Sequence, residues 1–257
     1  MILATCSLWR RDIVRFYRQR SRIIGALGSP VVFWLLLGSG LGRSFEGGAT
    51  SPPVEGYLQY FYPGTLALIV LFTSIFSTIS VIEDRQEGFL QGVLVAPVPR
   101  SAIVLGKILG GTTLAVAQGA VFMVLAPLAG VPLAPAALPA LAGVLIALGF
   151  ATTGLGLLIA WSLDSTQGFH AIMNLLLIPM WILSGAVFPA SGAAGWIRAV
   201  MVVNPMTYGV SALRQVIFPP APGFTADGPG LALSVGIVVT FGAALLAADT
   251  WLVRTRR

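Results

Sequence analysis

The chain has 257 residues, of which 56% are hydrophobic and only 9% are charged, and its mean hydropathy is +0.90. This composition is too apolar for a soluble globule, whose surface must be wetted, and it indicates an integral membrane protein. The net charge of +6 does not indicate a nucleic-acid partner, because the basic residues lie mostly in short segments beside apolar runs, which is the pattern of membrane topology.

Residues 1–22 contain six arginines and predict an amphipathic helix that lies in the membrane interface. On a helical wheel, apolar and basic side chains separate onto opposite sides, with Trp9, Ile13, Phe16 and Tyr17 on one and Arg11, Arg15 and Arg18 on the other. The alternative is a positive flank that only fixes the orientation of the chain.

Six apolar runs are each long enough to cross a hydrocarbon core of about 30 Å at about 1.5 Å per residue. These predicted spans are residues 23–42, 61–82, 102–126, 138–163, 168–188 and 231–253. Lys107 is expected to extend to the headgroups, and Pro179 is expected to kink the fifth span. The fold class is therefore an all-α integral membrane protein, with residues 1–257 forming one transmembrane domain.

Residues 189–230, between the fifth and sixth spans, contain two apolar stretches, at 195–203 and 206–218. Both are too short to span a bilayer, so they predict short re-entrant helices at the outer face of the membrane.

Lysine and arginine are distributed unequally between the two sides of this topology. Three of them, Arg43, Arg198 and Arg214, fall on one side, and the other twelve fall on the side that holds both termini and the 83–100 loop. This excess predicts that the termini and the loop face the cytoplasm.

The sequence offers little for enzymatic chemistry or ion coupling. Its one histidine, His170, is expected to pack or to face headgroups, and Asp164 and Asp249 lie toward the cytoplasmic ends of spans rather than at mid-membrane depth. No G-x-x-x-x-G-K-[ST] phosphate-binding loop occurs, so an ATP-driven process needs its nucleotide site on another chain.

Residues 83–100 form a charged segment between two apolar spans. Glu83, Asp84 and Glu87 are expected in the first turn of a short helix, where acids suit the helix dipole. Apolar residues follow, and the prolines at 97 and 99 are expected to end the helix. A charged tip on an apolar base indicates a docking surface for a partner. The alternative is an ordinary cytoplasmic loop.

Three runs in this region, at 82–91, 94–100 and 105–107, closely resemble the loop after the second span in type-2 ABC transporter permeases, a class of drug and polysaccharide exporters. Phe188-Pro189, Trp196 and Asn204-Pro205 are similar to landmarks of the same family. The resemblance extends over essentially the whole chain. It departs from the family pattern at Phe89 and Gln91, where many members have Thr and Glu.

The resemblance implies a permease, paired with a second copy in a homodimer or with a close relative, and bound to two cytoplasmic ABC ATPase subunits that carry ATP and Mg²⁺. No cofactor is expected on this chain. The residues expected to couple it to the ATPase are Glu83, Asp84, Arg85, Glu87, Gly88, Phe89, Leu90, Pro97 and Arg100. The interface helix expected to flank them is marked by Trp9, Arg11, Arg15 and Phe16.

By the same analogy, the first, second and fifth spans are expected to line a path between two permease copies. The candidate lining residues are Thr73, Ser77 and Ser80 on the second span and Met173, Asn174 and Leu177 on the fifth. The hydroxyl groups fit close helix packing equally well. An outer gate is expected at Phe188, Trp196, Asn204 and Pro205, with a hydrophobic plug as the alternative.

The leading functional prediction is the transmembrane subunit of an ATP-driven exporter in the plasma (inner) membrane of a prokaryote, moving an amphipathic drug or lipid-like molecule outward. Lipid-linked polysaccharide is the alternative cargo. An ATP-independent secondary carrier or membrane scaffold is the alternative class.

Overall fold

A computed structural model describes residues 2–40, 56–219 and 228–255. Residues 41–42 at the end of the first predicted span, Arg43, and residues 220–227 of the predicted outer region lie outside these ranges. The described ranges contain ten α-helices: α1 Ile2–Arg18, α2 Arg20–Gly40, α3 Tyr57–Gln86, α4 Phe89–Val95, α5 Arg100–Met123, α6 Leu138–Ser162, α7 Thr166–Trp181, α8 Gly195–Val203, α9 Pro205–Ile217 and α10 Leu231–Thr255.

Six helical segments are long and apolar enough to cross a membrane: α2, α3, α5, α6 with the short turn of helix before it (Pro135–Ser162), α7 with the turn that follows it (Thr166–Ala186), and α10. The prediction of an all-α, multi-pass membrane protein is confirmed. α7 continues past Pro179 to Trp181, and the regular helix then gives way to a wide π-helical turn at Ile182–Ala186, where Gly185 has a φ of 79°. The predicted kink therefore lies just beyond the proline, at a glycine that tolerates this backbone conformation.

α3 is the central helix, with α2, α5, α6, α7 and α9 packed around it. Its approach to α5 and α6 requires a residue without a side chain at Gly111. A Cβ atom there would lie 2.5 Å from both the Ser77 hydroxyl oxygen and the Thr153 methyl carbon. Small residues thus let the helices pack closely where dispersion and hydrogen bonding hold a membrane bundle together.

α1 packs along α5 through a stripe of residues four apart, Leu8, Asp12 and Phe16, all of which are buried. Small residues of α5 face this stripe: a Cβ on Gly106 would lie 3.0 Å from that of Leu8. Of the three arginines on the predicted basic side of α1, Arg11 and Arg15 adjoin the buried stripe and point into the protein, whereas Arg18 is exposed.

The two ends of the bundle differ in chemistry. At one end, called the charged end below, α1 meets the end of α3 and the start of α5, and Arg11 of α1 contacts Phe89 of α4. At the opposite end, α8 and α9 pack against the turn that follows α7, and α9 also packs against α10. α3 runs from the opposite end to the charged end and so connects them.

Candidate functional site

Asp84 lies at the centre of the charged end. Its carboxylate is fully buried and accepts hydrogen bonds from three cations: Lys107 at 2.7 Å, Arg11 at 2.6 Å and Arg15 at 2.5 Å. Two of these cations belong to α1 and one to α5, whereas Asp84 belongs to α3. One carboxylate therefore joins three helices, and its burial is compensated by charge-assisted hydrogen bonds.

Lys107 is buried, and the expectation that it extends to the lipid headgroups is wrong. Its ammonium nitrogen also lies 2.9 Å from Asp12 Oδ1 and 3.2 Å from the Ser80 hydroxyl. Two carboxylates compensate the buried ammonium charge, which in a lysine at this position would otherwise extend to the polar membrane surface. Burial raises the pKa of the Asp12 carboxyl above its usual range, and the Lys107 ammonium partly offsets that effect.

Glu83 and Glu87 lie outside the buried groups of Asp12, Asp84 and Lys107. Arg15 Nη2 lies 3.0 Å from a carboxylate oxygen of each, and Arg22 forms a second ion pair with Glu83. Together these groups make up the charge cluster, defined as Arg11, Asp12, Arg15, Arg22, Glu83, Asp84, Glu87 and Lys107. Both Glu83 and Glu87 are partly exposed, so the cluster grades from a buried core to a wet rim.

The predicted start of the short helix is wrong. α3 continues through Gln86, so Glu83 and Asp84 lie in its last turns rather than in the first turn of a new helix. Gly88 then turns the chain with a φ of 76°, and α4 starts at Phe89. The cations of the charge cluster hold the acids in α3, and only after Gly88 can the chain change direction.

α4 has one inward and one outward side. Leu90 is buried in the core, and the Phe89 ring lies 3.7 Å from the guanidinium carbon of Arg11. Val95 is 87% exposed, and Gln91 and Gly92 are also exposed. α4 is therefore fixed to α1 on one side and presents an open, weakly polar surface on the other.

Arg85 fastens the end of α3 to a second part of the bundle. Its guanidinium donates to the backbone oxygens of Leu163 at 3.1 Å and Trp161 at 3.2 Å, and to the Asp164 carboxylate at 2.8 Å. Arg85 thus bonds inside the chain, to the turn between α6 and α7. The other two expected coupling residues flank the start of α5: Pro97 is exposed, and Arg100 is half-buried.

The hydroxyl groups expected to line a path point into the bundle. Thr73 donates to Gln118 Oε1 at 2.8 Å, Ser77 to the Ser74 carbonyl at 2.5 Å, and Ser80 to the Ser77 carbonyl at 2.7 Å. All three are buried. This geometry fits the close-packing alternative, because each hydroxyl is satisfied within the described chain.

The three candidates on the fifth span do not share a side. Met173 and Leu177 are buried, whereas Asn174 is exposed on the surface of the chain. Leu177 is four residues after Met173, so these two side chains lie on the same face of α7, whereas Asn174 immediately follows Met173 and lies on another face.

A cavity of about 330 Å³ opens between α2, α3 and α7 near the charged end. Its walls combine apolar and polar groups and include the Arg22–Glu83 ion pair of the charge cluster. The lining residues are Ser21, Arg22, Gly25, Phe76, Ile79, Glu83, Thr166 and His170. Sequence reasoning missed the roles of Phe76 and His170, whose rings lie 6.1 Å apart. The available signal was the pair Phe72 and Phe76, one turn apart on α3.

The predicted outer-gate residues take different positions at the opposite end. Trp196 is 68% exposed, and Phe188 is half-buried. Asn204 is buried and caps α9 by accepting from Met206 N at 3.0 Å, while its amide donates to the Met180 carbonyl at 2.6 Å. Pro205 follows as the first residue of α9, where proline is favoured. Asn204-Pro205 thus fastens α8 and α9 to the end of α7.

Asp249 is a buried acid that sequence reasoning set aside. It is fully buried on α10, and neither carboxylate oxygen has a hydrogen-bond partner among the described residues. A Cβ placed on Gly154 of α6 would lie 3.7 Å from its Oδ2. An uncompensated carboxylate inside a membrane bundle is costly and marks a position of functional interest.

Comparisons with known proteins agree with this architecture. The chain is 24% identical over 236 residues to the daunorubicin resistance ABC transporter permease protein DrrB1 of Streptomyces coeruleorubidus. The aligned region covers 91% of this chain and 81% of that protein. The chain is 26% identical over 240 residues to nodulation protein J of Sinorhizobium fredii (strain NBRC 101917 / NGR234), covering 91% and 87%. It is 28% identical over 211 residues to the putative transport permease ycf38 of Cyanophora paradoxa, covering 80% and 71%.

The sequence profile described as "ABC-2 type transporter" matches residues 4–218, which include all of the charge cluster and the short helices α8 and α9. In this family the permease is the transmembrane subunit and the ATPase is a separate chain. The chain therefore belongs to the ABC-2 type transporter family and is a transmembrane permease subunit of an ABC transporter.

Proposed function

We propose that this permease exports an amphipathic drug or lipid-like molecule from the cytoplasm or the inner leaflet, driven by ATP hydrolysis on a separate ABC ATPase. The charged end faces the cytoplasm, both termini lie on that side, and the protein resides in the plasma (inner) membrane of a prokaryote. The observation that carries this proposal is the Asp84 carboxylate of α3, which binds cations of α1 and α5. One of these cations, Arg11, also contacts Phe89 and so connects the surface helix α4 to the three longer helices.

The ATPase binds the open side of α4 and moves that helix. Gly88 connects α4 directly to α3, and Arg15 holds both Glu87, just before α4, and Asp84. Breaking a buried ion pair so that one charge is left without its partner costs about 3–5 kcal/mol. A displacement of α4 therefore moves α1, the end of α3 and the start of α5 as one unit rather than breaking their contacts.

α3 carries this movement to the opposite end of the bundle. There the Tyr57 hydroxyl donates to the Val187 carbonyl at 2.9 Å, and the Tyr60 hydroxyl donates to the Gly185 carbonyl at 3.1 Å. Both acceptors lie in or next to the irregular turn that ends α7. A shift of α3 along its axis thus reaches the re-entrant helices, which open and close the outer side of the path.

The cavity between α2, α3 and α7 is the entry site for cargo. Its Phe76 and Ile79 side chains suit an apolar body, and its Arg22–Glu83 pair suits a polar or charged group. One relative is named for daunorubicin resistance, and the mixed walls here support an amphipathic cargo for this permease as well. Lipid-linked polysaccharide is the alternative cargo, with only its lipid end entering this cavity.

The working assembly has two permease copies and two ATPase subunits. α2 supports this arrangement, because several of its large apolar side chains are at least half exposed in the single chain: Ile24, Val32, Phe33 and Leu36. In the assembly, the second copy and membrane lipid cover these residues. ATP and Mg²⁺ bind to the ATPase subunits.

The test is transport by permease and ATPase reconstituted together in vesicles. ATP hydrolysis is expected to depend on both chains, and transport is expected to persist after an uncoupler collapses the proton gradient. Vesicles with the permease alone serve as the control. Transport that needs no ATPase would contradict the proposal.

Asp249 favours a second candidate function, an ion-coupled carrier. Its buried carboxylate lacks a partner within the described chain, as expected of a group that exchanges a cation or proton. In that case the uncoupler abolishes transport, and Asp249→Asn abolishes it without affecting protein yield. Under ATP-driven export, Asp249→Asn leaves transport unchanged.

A further inference from the structure

Two of the three basic residues that the topology places on the outer side converge on one cavity. This cavity, of about 340 Å³, lies at the opposite end of the bundle, among α8, α9, the start of α3 and the start of α10. Arg198 of α8 and Arg214 of α9 both line it. Basic residues are disfavoured on this side of a membrane protein, so their convergence points to a specific use.

Both guanidinium groups retain donors for a ligand. Arg214 lies 4.4 Å from the centre of the Tyr60 ring and donates to the Gly185 carbonyl at 3.0 Å. Arg198 donates to the Ser191 carbonyl at 3.3 Å and the Ala193 carbonyl at 3.2 Å. A guanidinium has five N–H donors, so these bonds orient the two side chains without exhausting them.

The positive charge of the cavity is not neutralised by the described chain. No acidic residue occurs among the described residues that line it. The hydroxyl oxygen of Thr207, another lining residue, is buried and has no hydrogen-bond partner within the described ranges. Two cations and one unsatisfied hydroxyl therefore surround a space that an anion with several oxygen atoms would fill.

The rest of the wall is apolar and includes Pro189, Met201 and Leu233. The volume lies near the lower end of the range for ligand pockets, which is about 300–1,000 Å³. It suits a headgroup and the first part of an apolar chain rather than a whole lipid.

We infer that this outer cavity is a binding site for the phosphate group of an anionic, phospholipid-like amphiphile. Arg198 and Arg214 hold the phosphate, Thr207 donates to one of its oxygens, and the apolar wall contacts the adjoining chain. The site goes beyond the proposed export function. It is defined by binding alone, so its failure leaves that function untouched.

The experiment measures binding to purified permease in detergent by native mass spectrometry and by the shift in thermal midpoint. The probes are short-chain phosphatidylglycerol, which is anionic, short-chain phosphatidylcholine, which has no net charge, and inorganic phosphate. Phosphatidylglycerol is expected to bind and to raise the midpoint more than phosphatidylcholine. If phosphatidylglycerol binds and inorganic phosphate does not shift the midpoint, the ligand is a lipid. If inorganic phosphate also shifts the midpoint, the phosphate group alone is the recognised part.

Four variants separate the cavity from general surface charge. Arg198→Gln and Arg214→Gln are each expected to weaken phosphatidylglycerol binding about tenfold or more, because each removes a charged donor. Thr207→Val keeps the shape of the side chain and is expected to weaken binding by a smaller factor. Ala190→Trp keeps both arginines but fills the cavity from its exposed rim, so it is also expected to reduce binding.

The matched control is Arg254→Gln, which removes an exposed arginine at the charged end. It is expected to leave binding unchanged. Equal binding of the two lipids, absence of binding by phosphatidylglycerol, or an equal loss in Arg254→Gln would overturn the inference. If Arg214→Gln fails to fold, Thr207→Val and Ala190→Trp decide the question, and unchanged binding in both would overturn it.

Discussion

Lys107 donates to two carboxylates at once: its ammonium nitrogen lies 2.7 Å from Asp84 Oδ2 and 2.9 Å from Asp12 Oδ1. The three residues come from α5, α3 and α1, and each is less than one-tenth exposed. A single ammonium group therefore bridges α1 to the central helix, α3.

Replacement of Lys107 by methionine tests this bridge. Lys107→Met retains most of the side-chain volume but leaves Asp12 and Asp84 buried without their shared cation. The expected loss in the free energy of unfolding is about 3–5 kcal/mol, as for other broken buried pairs. Asp84→Asn in the same background is expected to recover part of that loss, because it removes one unpaired charge. Thermal midpoints of the purified variants measure both effects, and additive losses in the double variant would contradict the direct pairing.

Arg85 donates both to backbone carbonyl groups and to the exposed Asp164 carboxylate, and two variants separate the contributions of these partners to stability. Arg85→Gln removes donors to two backbone carbonyl groups at the α6–α7 turn, so it is expected to lower the free energy of unfolding by about 1–3 kcal/mol. Asp164→Asn is expected to cost less than about 1 kcal/mol, because the Asp164 side chain is 90% exposed. Equal losses would show that Arg85 acts through Asp164 rather than through the backbone.

Gly88 provides a test of the turn between α3 and α4. Its φ of 76° favours glycine, while a Cβ placed there would meet no atom within 4 Å. Gly88→Ala is therefore expected to cost about 1–2 kcal/mol through backbone strain alone. The control is Gly92→Ala inside α4, which also has open space and is expected to be neutral or slightly stabilising. A greater loss at position 92 would be inconsistent with this turn geometry.

Asp249 is expected to be a liability for stability. Asp249→Asn replaces a carboxyl group whose two oxygens lack hydrogen-bond partners among the described residues, so the thermal midpoint is expected to stay constant or rise. Asp84→Asn, which removes a carboxylate of similar burial but with three cationic partners, is expected to lower it. A large fall in Asp249→Asn would mean that a group outside the described ranges, or a second chain, pairs with this carboxylate.

Hydropathy predicted the six spans and the two short outer helices because helix length in a membrane is set by the hydrocarbon thickness. The contacts within the charge cluster were not predictable in the same way. Arg15 and Asp84 are separated by 69 positions, and the sequence alone placed Arg15 on the basic side of an interface helix and Asp84 in the first turn of a separate short helix. Only the packing of α1 along α5 brings them together.

The hydroxyl groups of the second span show the same limit. Their spacing placed Thr73, Ser77 and Ser80 on one face, but it left open whether that face met a path or another helix. The residues of α5 that meet this face are Gly111 opposite Ser77, Gln118 opposite Thr73 and Lys107 opposite Ser80, and neither helix alone reveals the match. The side of α3 that does border an open cavity carries Phe76, which was not among the residues predicted to line a path.

Co-purification with the partner ATPase tests the central claim, that α4 is the docking element, most directly. Val95→Arg changes an apolar side chain of α4 that is 87% exposed, and Leu128→Arg changes an apolar residue of comparable exposure, 72%, outside α4 and the charge cluster. Glu87→Arg adds a second probe, because it places a cation beside Arg15. Val95→Arg and Glu87→Arg are each expected to reduce the retained ATPase about tenfold or more, while Leu128→Arg retains the wild-type amount. Equal retention by all four proteins would contradict the account.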